Sequence, residues 1–116
     1  MSLNIGDKIP DFSLVNYDKE TFKSEDFLGR KTMFVFMPFP FSSVCDGEIC
    51  ELRDNIDAFK SAETNTVMIT VAAGPTNRAW ANHYNIEFPI LADFWPHGEV
   101  SKQFGCFHDG VGISLR

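Results

Sequence analysis

Apolar and polar residues alternate from Ile9 to Val15. Polar Asn16-Tyr17-Asp18-Lys19 follows, then Thr21-Phe22. This pattern predicts a small β-hairpin. Ser24-Glu25-Asp26-Phe27-Leu28-Gly29 predicts one short helical turn stopped by the glycine. Thr32–Met37 is a continuous apolar run rich in β-formers, as in a strand buried on both faces, and Pro38 and Pro40 end it. Over residues 43–61, Cys45, Ile49, Leu52, Ile56 and Phe59 recur at spacings of 4, 3, 4 and 3, which predicts one helix that Ser42 or Ser43 can cap. Thr66–Val71 is a second buried strand, so strand, helix and strand form a βαβ unit. A helix over 76–84 follows. Phe88–Leu91 is expected to be a strand near a sheet edge because it contains Pro89. Residues 93–98 form a loop, Glu99–Phe104 a short helix and Val111–Arg116 another strand. The sum is an α/β domain with a parallel component. The last strand pattern stops without a closing element, so the chain is expected to be part of a longer domain with an exposed sheet edge.

Composition narrows the function. The 116 residues make one domain, and 44 % are apolar, enough for a core. Ten Lys and Arg against sixteen Asp and Glu give a net charge of −6, which argues against nucleic acid as a partner. No apolar run approaches the roughly 20 residues of a membrane span. The N-terminus has neither a basic segment nor an apolar signal core, so a cytoplasmic location is expected. Three cysteines are an odd count, which fits reactive or buried thiols better than a closed disulfide framework. Twelve residues are Phe, and Phe34, Phe36, Phe39 and Phe41 crowd one stretch beyond what one strand face can hide. Part of that stretch is expected to face a pocket or a partner.

Cys45 lies in the first turn of the long helix, just beyond a buried strand. Ligand sites in open α/β sheets lie at that end. Free N–H groups and the helix dipole favour thiolate there. Lowering a cysteine pKa from about 8.5 to about 6.5 requires about 2.7 kcal/mol of preference for the anion. The dipole supplies roughly 0.3–1 kcal/mol, up to about 2 if partly buried, so a cationic side chain is also needed. Position alone leaves open that Cys45 is a small core residue on the stripe with Ile49 and Leu52.

Pro38-x-x-x-Ser42-x-x-Cys45 resembles the peroxiredoxin signature of a Pro, a Thr or Ser, and the peroxidatic Cys. The resemblance extends over nearly the whole chain: Ile9-Pro10-Asp11-Phe12 is similar to the family's opening, Leu52-Arg53-Asp54 follows the helix as it does there, and Phe88-Pro89-Ile90-Leu91-Ala92-Asp93 matches a later strand. Asp93-Phe94-Trp95-Pro96-His97-Gly98 is similar to the alkyl hydroperoxide reductase E branch. The resemblance implies a thioredoxin-like fold of peroxiredoxin type, cut near the start of its sixth core strand. It implies thiol-dependent reduction of hydrogen peroxide or alkyl hydroperoxides, with a thioredoxin-like protein or small thiol as reductant. No metal, haem or flavin cofactor is implied. Cys45 would attack the peroxide and become sulfenic acid. Ser42 would exchange hydrogen bonds with the peroxide, Pro38 would shield the thiolate, Arg116 would supply the positive charge, and Glu48 would orient that arginine. Phe39, Phe41, Phe94 and Trp95 fall on loops where similar proteins pair, so a homodimer is expected.

The reductase E branch works with one cysteine in this helix, whereas here Cys50 follows Cys45 at a Cys-x-x-x-x-Cys spacing similar to the peroxiredoxin Q group, which implies a resolving role. On an intact helix the two are separated by a rise of about 7.5 Å and about 140° of rotation. A disulfide tolerates a Cα separation up to about 7 Å, so this bond needs the first turns to unwind. Cys106, between aromatics, is expected to be a core cysteine. His83, His97 and His108 have no ligand spacing. A thioredoxin-type oxidoreductase would need Cys-x-x-Cys, which is absent. The remaining alternative is a non-catalytic thioredoxin-like remnant, a redox sensor or inert fragment, in which the expected missing strands abolish turnover.

Overall fold

A computed structural model describes residues 3–115. The hairpin forms as its alternation predicts, β1 (Ser13–Asn16) pairing antiparallel with β2 (Thr21–Lys23). Asn16 organises its turn: its Oδ1 accepts from the amides of Asp18 and Glu20, and Lys19 takes a positive φ. A 3-10 turn over Ser24–Phe27 follows. Next come β3 (Lys31–Phe36), α1 (Ser43–Asp54), α2 (Ile56–Ser61), β4 (Thr64–Thr70) and α3 (Gly74–Tyr84). The chain continues through β5 (Ile90–Ala92), α4 (Glu99–Gln103), β6 (Phe107–His108) and β7 (Ile113–Ser114). The main sheet has the order β2-β1-β5-β4-β3. Strands β3, β4 and β5 are parallel, and β1 is antiparallel to β5.

Alternation along β4 divides the core. Val67 and Ile69 face a cluster with Phe12, Leu14, Phe27, Phe36, Leu91, Val100 and Phe104. Met68 faces the other side, with Met37, Cys45, Ile49, Trp80, Ala81 and Ile90. The first cluster absorbs much of the phenylalanine excess: the rings of Phe12, Phe22, Phe27, Phe34, Phe36 and Phe104 meet within 5.2–6.4 Å, several of them edge to face. Phe39 and Phe41 remain exposed. Asp93, buried just past the end of β5, accepts from the amides of Val100 and Ser101 and thereby caps α4 from a distance.

The structure corrects four expectations. The strand with Pro89 is interior, because the proline lies just before β5, where only its carbonyl is needed, and that carbonyl accepts from the Met68 amide. Strand β3 is not buried on both faces: among the described residues it has one neighbour in the sheet, and most of its side chains are half-buried. The long helix is broken at Asn55, whose side chain donates to the Glu51 carbonyl and whose backbone leaves helical geometry. The last pattern does not join the main sheet as a sixth strand. Residues Ile113–Ser114 fold back on Phe107–His108 as a separate two-stranded ribbon. No helix among the described residues is long and apolar enough to cross a membrane.

Candidate active site

Strand β3 delivers the chain to the site. Its ladder runs one residue further, from the Met37 amide to the Ile69 carbonyl at 3.1 Å. Pro38 then ends it, having no N–H to continue the ladder. Pro38 and Pro40 are buried while Phe39 between them points outward. Phe41 turns the chain with a φ of 65°. That left-handed conformation is an outlier for a bulky residue and costs about 1–3 kcal/mol, and such strain clusters at functional sites.

Ser42 is the N-cap of α1. Its backbone is extended, and its Oγ accepts from the Cys45 amide at 3.4 Å. The predicted cap and thiol are thus brought together at the head of the helix. Cys45 is fully buried in the cluster with Ile49 and Trp80. Glu48 lies half-buried on the same helix, one turn on. Arg116, expected to supply the positive charge, lies outside the described residues. Cys50 is half-buried on the same unbroken α1, and none of the three cysteines is in a disulfide. Cys106 is half-buried at the margin of the aromatic cluster rather than inside it, and burial pushes its thiol pKa up. Among the described residues no group of His, Cys, Asp and Glu has the arrangement of a metal site. His97 instead bonds the Gly112 carbonyl at 2.6 Å, tying the loop to the terminal ribbon.

Sequence reasoning missed Asp46. Its Oδ1 accepts from Trp80 Nε1 and its Oδ2 from the Tyr84 hydroxyl, both at 2.7 Å. This joins the residue after Cys45 to α3. The bond to Asp46 is the main reason the Tyr84 hydroxyl titrates above its ordinary value. Lower on the same helix pair, Arg53 donates to the Tyr84 carbonyl at 2.9 Å and also pairs with Asp54.

Comparison with known proteins places the chain in a lineage. The model of the AhpC/TSA family matches residues 5–116. Alkyl hydroperoxide reductase E of Mycobacterium bovis is 36 % identical over 115 residues, covering 98 % of this chain and 75 % of that protein. The crystal structure of AhpC from Enterococcus faecalis superposes with a TM-score of 0.84 at 26 % identity, over 98 % of this chain and 71 % of that one. That of peroxidoxin BcpB from Mycobacterium tuberculosis also gives 0.84, at 23 % identity, over 95 % and 71 %, and speaks for the fold.

Proposed function

Since this chain belongs to the AhpC/TSA family, whose peroxiredoxins are thiol-dependent peroxidases, we propose that Cys45 is its peroxidatic cysteine and that peroxide is reduced at the head of α1. The observation that carries this reading is the capped, buried thiol at the third position of that helix. The Cys45 thiolate attacks one peroxide oxygen. The S–O bond forms as the O–O bond breaks, and the departing oxygen takes up a proton to leave as water or alcohol. Cys45 becomes sulfenic acid. The Ser42 oxygen already accepts from the Cys45 amide. Its own proton is therefore available to the peroxide. Buried Pro38 keeps bulk water from the sulfur. The positive charge that the helix dipole cannot supply alone is assigned to Arg116 by sequence resemblance, with Glu48 as its orienting carboxylate.

Cys50 is the resolving cysteine in this reading. Its thiolate attacks the Cys45 sulfenic acid to form a disulfide, which a small thiol or thioredoxin-like protein then reduces. That cycle suits a reducing, cytoplasmic setting. Exposed Phe39, Phe41, Phe94 and Trp95 support a homodimer through the loops at this end. Sedimentation at micromolar concentration tests that association, and a persistent monomer overturns it.

The central test is single-turnover oxidation followed by peptide mapping. One equivalent of hydrogen peroxide should oxidise Cys45 in the unaltered protein. Cys45→Ser should abolish the reaction, and Cys106→Ser should leave it unchanged. Stoichiometric oxidation without turnover by any supplied thiol would favour the redox-sensor alternative.

A further inference from the structure

Tyr84 holds α1 at two places. Its hydroxyl donates to Asp46, and its backbone carbonyl accepts from Arg53. Those two residues are seven positions apart, about 10.5 Å along the helix. Trp80, fully buried, donates to the other oxygen of the Asp46 carboxylate. Both oxygens of Asp46 are therefore engaged by α3, through hydrogen bonds to a charged acceptor, which are stronger than neutral ones. The stretch between the two anchors contains Cys50 and begins one residue after Cys45. Cys50 and Tyr84 pack against the same core cluster.

An intact α1 keeps Cys45 and Cys50 apart in both rise and direction. Joining them requires the head of the helix to leave its register, and Asp46 is pinned in that register next to the reacting sulfur. We propose that Asp46, Trp80 and Tyr84 form a latch on the head of α1, which sets how oxidised Cys45 divides between a disulfide with Cys50 and further oxidation. This rests on the assignment of Cys45 and Cys50 above. The two fates compete for one species. In the first, the Cys50 thiolate attacks Cys45 Sγ, an S–S bond forms, the S–O bond breaks, and hydroxide leaves to be protonated to water. In the second, the Cys45 sulfenate attacks another peroxide, a second S–O bond forms, the O–O bond breaks, and water or alcohol leaves behind a sulfinate. Only the first requires α1 to open. A tight latch therefore lengthens the life of the sulfenic acid and exposes it to the second peroxide. Asp46 and Tyr84 are positioning residues, acting through the helix rather than on the peroxide.

Tyr84→Phe removes one latch bond and keeps the ring. It should speed formation of the Cys45–Cys50 disulfide about tenfold, equivalent to about 1.4 kcal/mol. The fraction of Cys45 found as sulfinate at a fixed excess of hydrogen peroxide should fall by a similar factor. The first oxidation of Cys45, timed in a single turnover, should not change. Asp46→Asn should move both readouts further in the same direction. In a Cys50→Ser background, Tyr84→Phe should leave the sulfinate yield unchanged, because no disulfide competes. Equal or slower disulfide formation in both variants would overturn the latch, as would a fall in sulfinate that persists without Cys50. Absence of any Cys45–Cys50 disulfide in the unaltered protein would overturn the latch together with the resolving role of Cys50. That outcome is told apart from failure of the latch alone, in which the disulfide forms at one rate in every variant.

Discussion

Thr66 is almost wholly buried in β4, yet its hydroxyl makes no hydrogen bond among the described residues. A buried polar group without a partner costs about 1–3 kcal/mol of desolvation. Thr66→Val should therefore stabilise the protein by about 1 kcal/mol, read as a higher urea midpoint with an unchanged slope. Ser42→Ala should do the opposite. Loss of an N-cap costs about 1 kcal/mol. In the proposed mechanism it also removes a donor to the peroxide, so the rate of Cys45 oxidation should drop by about 100- to 1000-fold, by analogy with loss of an oxyanion donor. Tyr84 carries a pH prediction. Its hydroxyl donates to Asp46 only while protonated, and its pKa is raised. The bond is thus fully present below an ordinary tyrosine value of about 10 and is lost as pH rises through the higher folded value. An ultraviolet absorbance titration should show a late-ionising tyrosine that disappears in Tyr84→Phe. At this scale the sequence was legible where chemistry is written in local spacing. Pro38, Ser42 and Cys45 fall within eight positions, and the cap and thiol meet as expected. Asp46 was not legible because its partners lie 34 and 38 residues away. Nothing nearby marks it as more than an acidic residue in the first turn of a helix. The left-handed turn at Phe41 was equally hidden, since phenylalanine carries no signal for positive φ.

Helix α1 is held by both its local sequence and its packing. Ile49 is fully buried one turn after Cys45 and packs into the Trp80 cluster. Ile49→Ala should cost about 2–5 kcal/mol, seen in thermal or urea unfolding. Its periodicity predicted the helix correctly but ran straight through the break at Asn55. The apolar spacing continues into Ile56 and Phe59 because both helices need an inward face. What ends α1 is the local competition of an Asn side chain for backbone groups. The edge assignment for β5 failed for a related reason. Proline forbids a ladder donor at its own position only, and the strand proper starts one residue later, paired on both sides. The terminal alternation did identify extended residues. Their partner is set instead by the short turn through Gly110 and Gly112, which folds Ile113–Ser114 onto Phe107–His108.

Over the whole molecule, the parallel β3–β4–β5 core places the cysteine at the strand end, as the α/β pattern predicted, while the strand order required the structure. The division of the core by the sheet has a consequence in light. The aromatic cluster on one face contains phenylalanines and no tryptophan. Of the two tryptophans in the chain, Trp95 is 83 % exposed, whereas Trp80 is sealed on the face that holds Cys45. An aqueous quencher should suppress Trp95 and leave Trp80, whose indole N–H rests on Asp46. The surviving emission is then a private signal from the α1–α3 seam, while the phenylalanine face stays dark. On oxidation by peroxide, that emission should shift to the red and become quencher-accessible as the seam parts. Ellipticity, which averages over every helix and strand, should barely move.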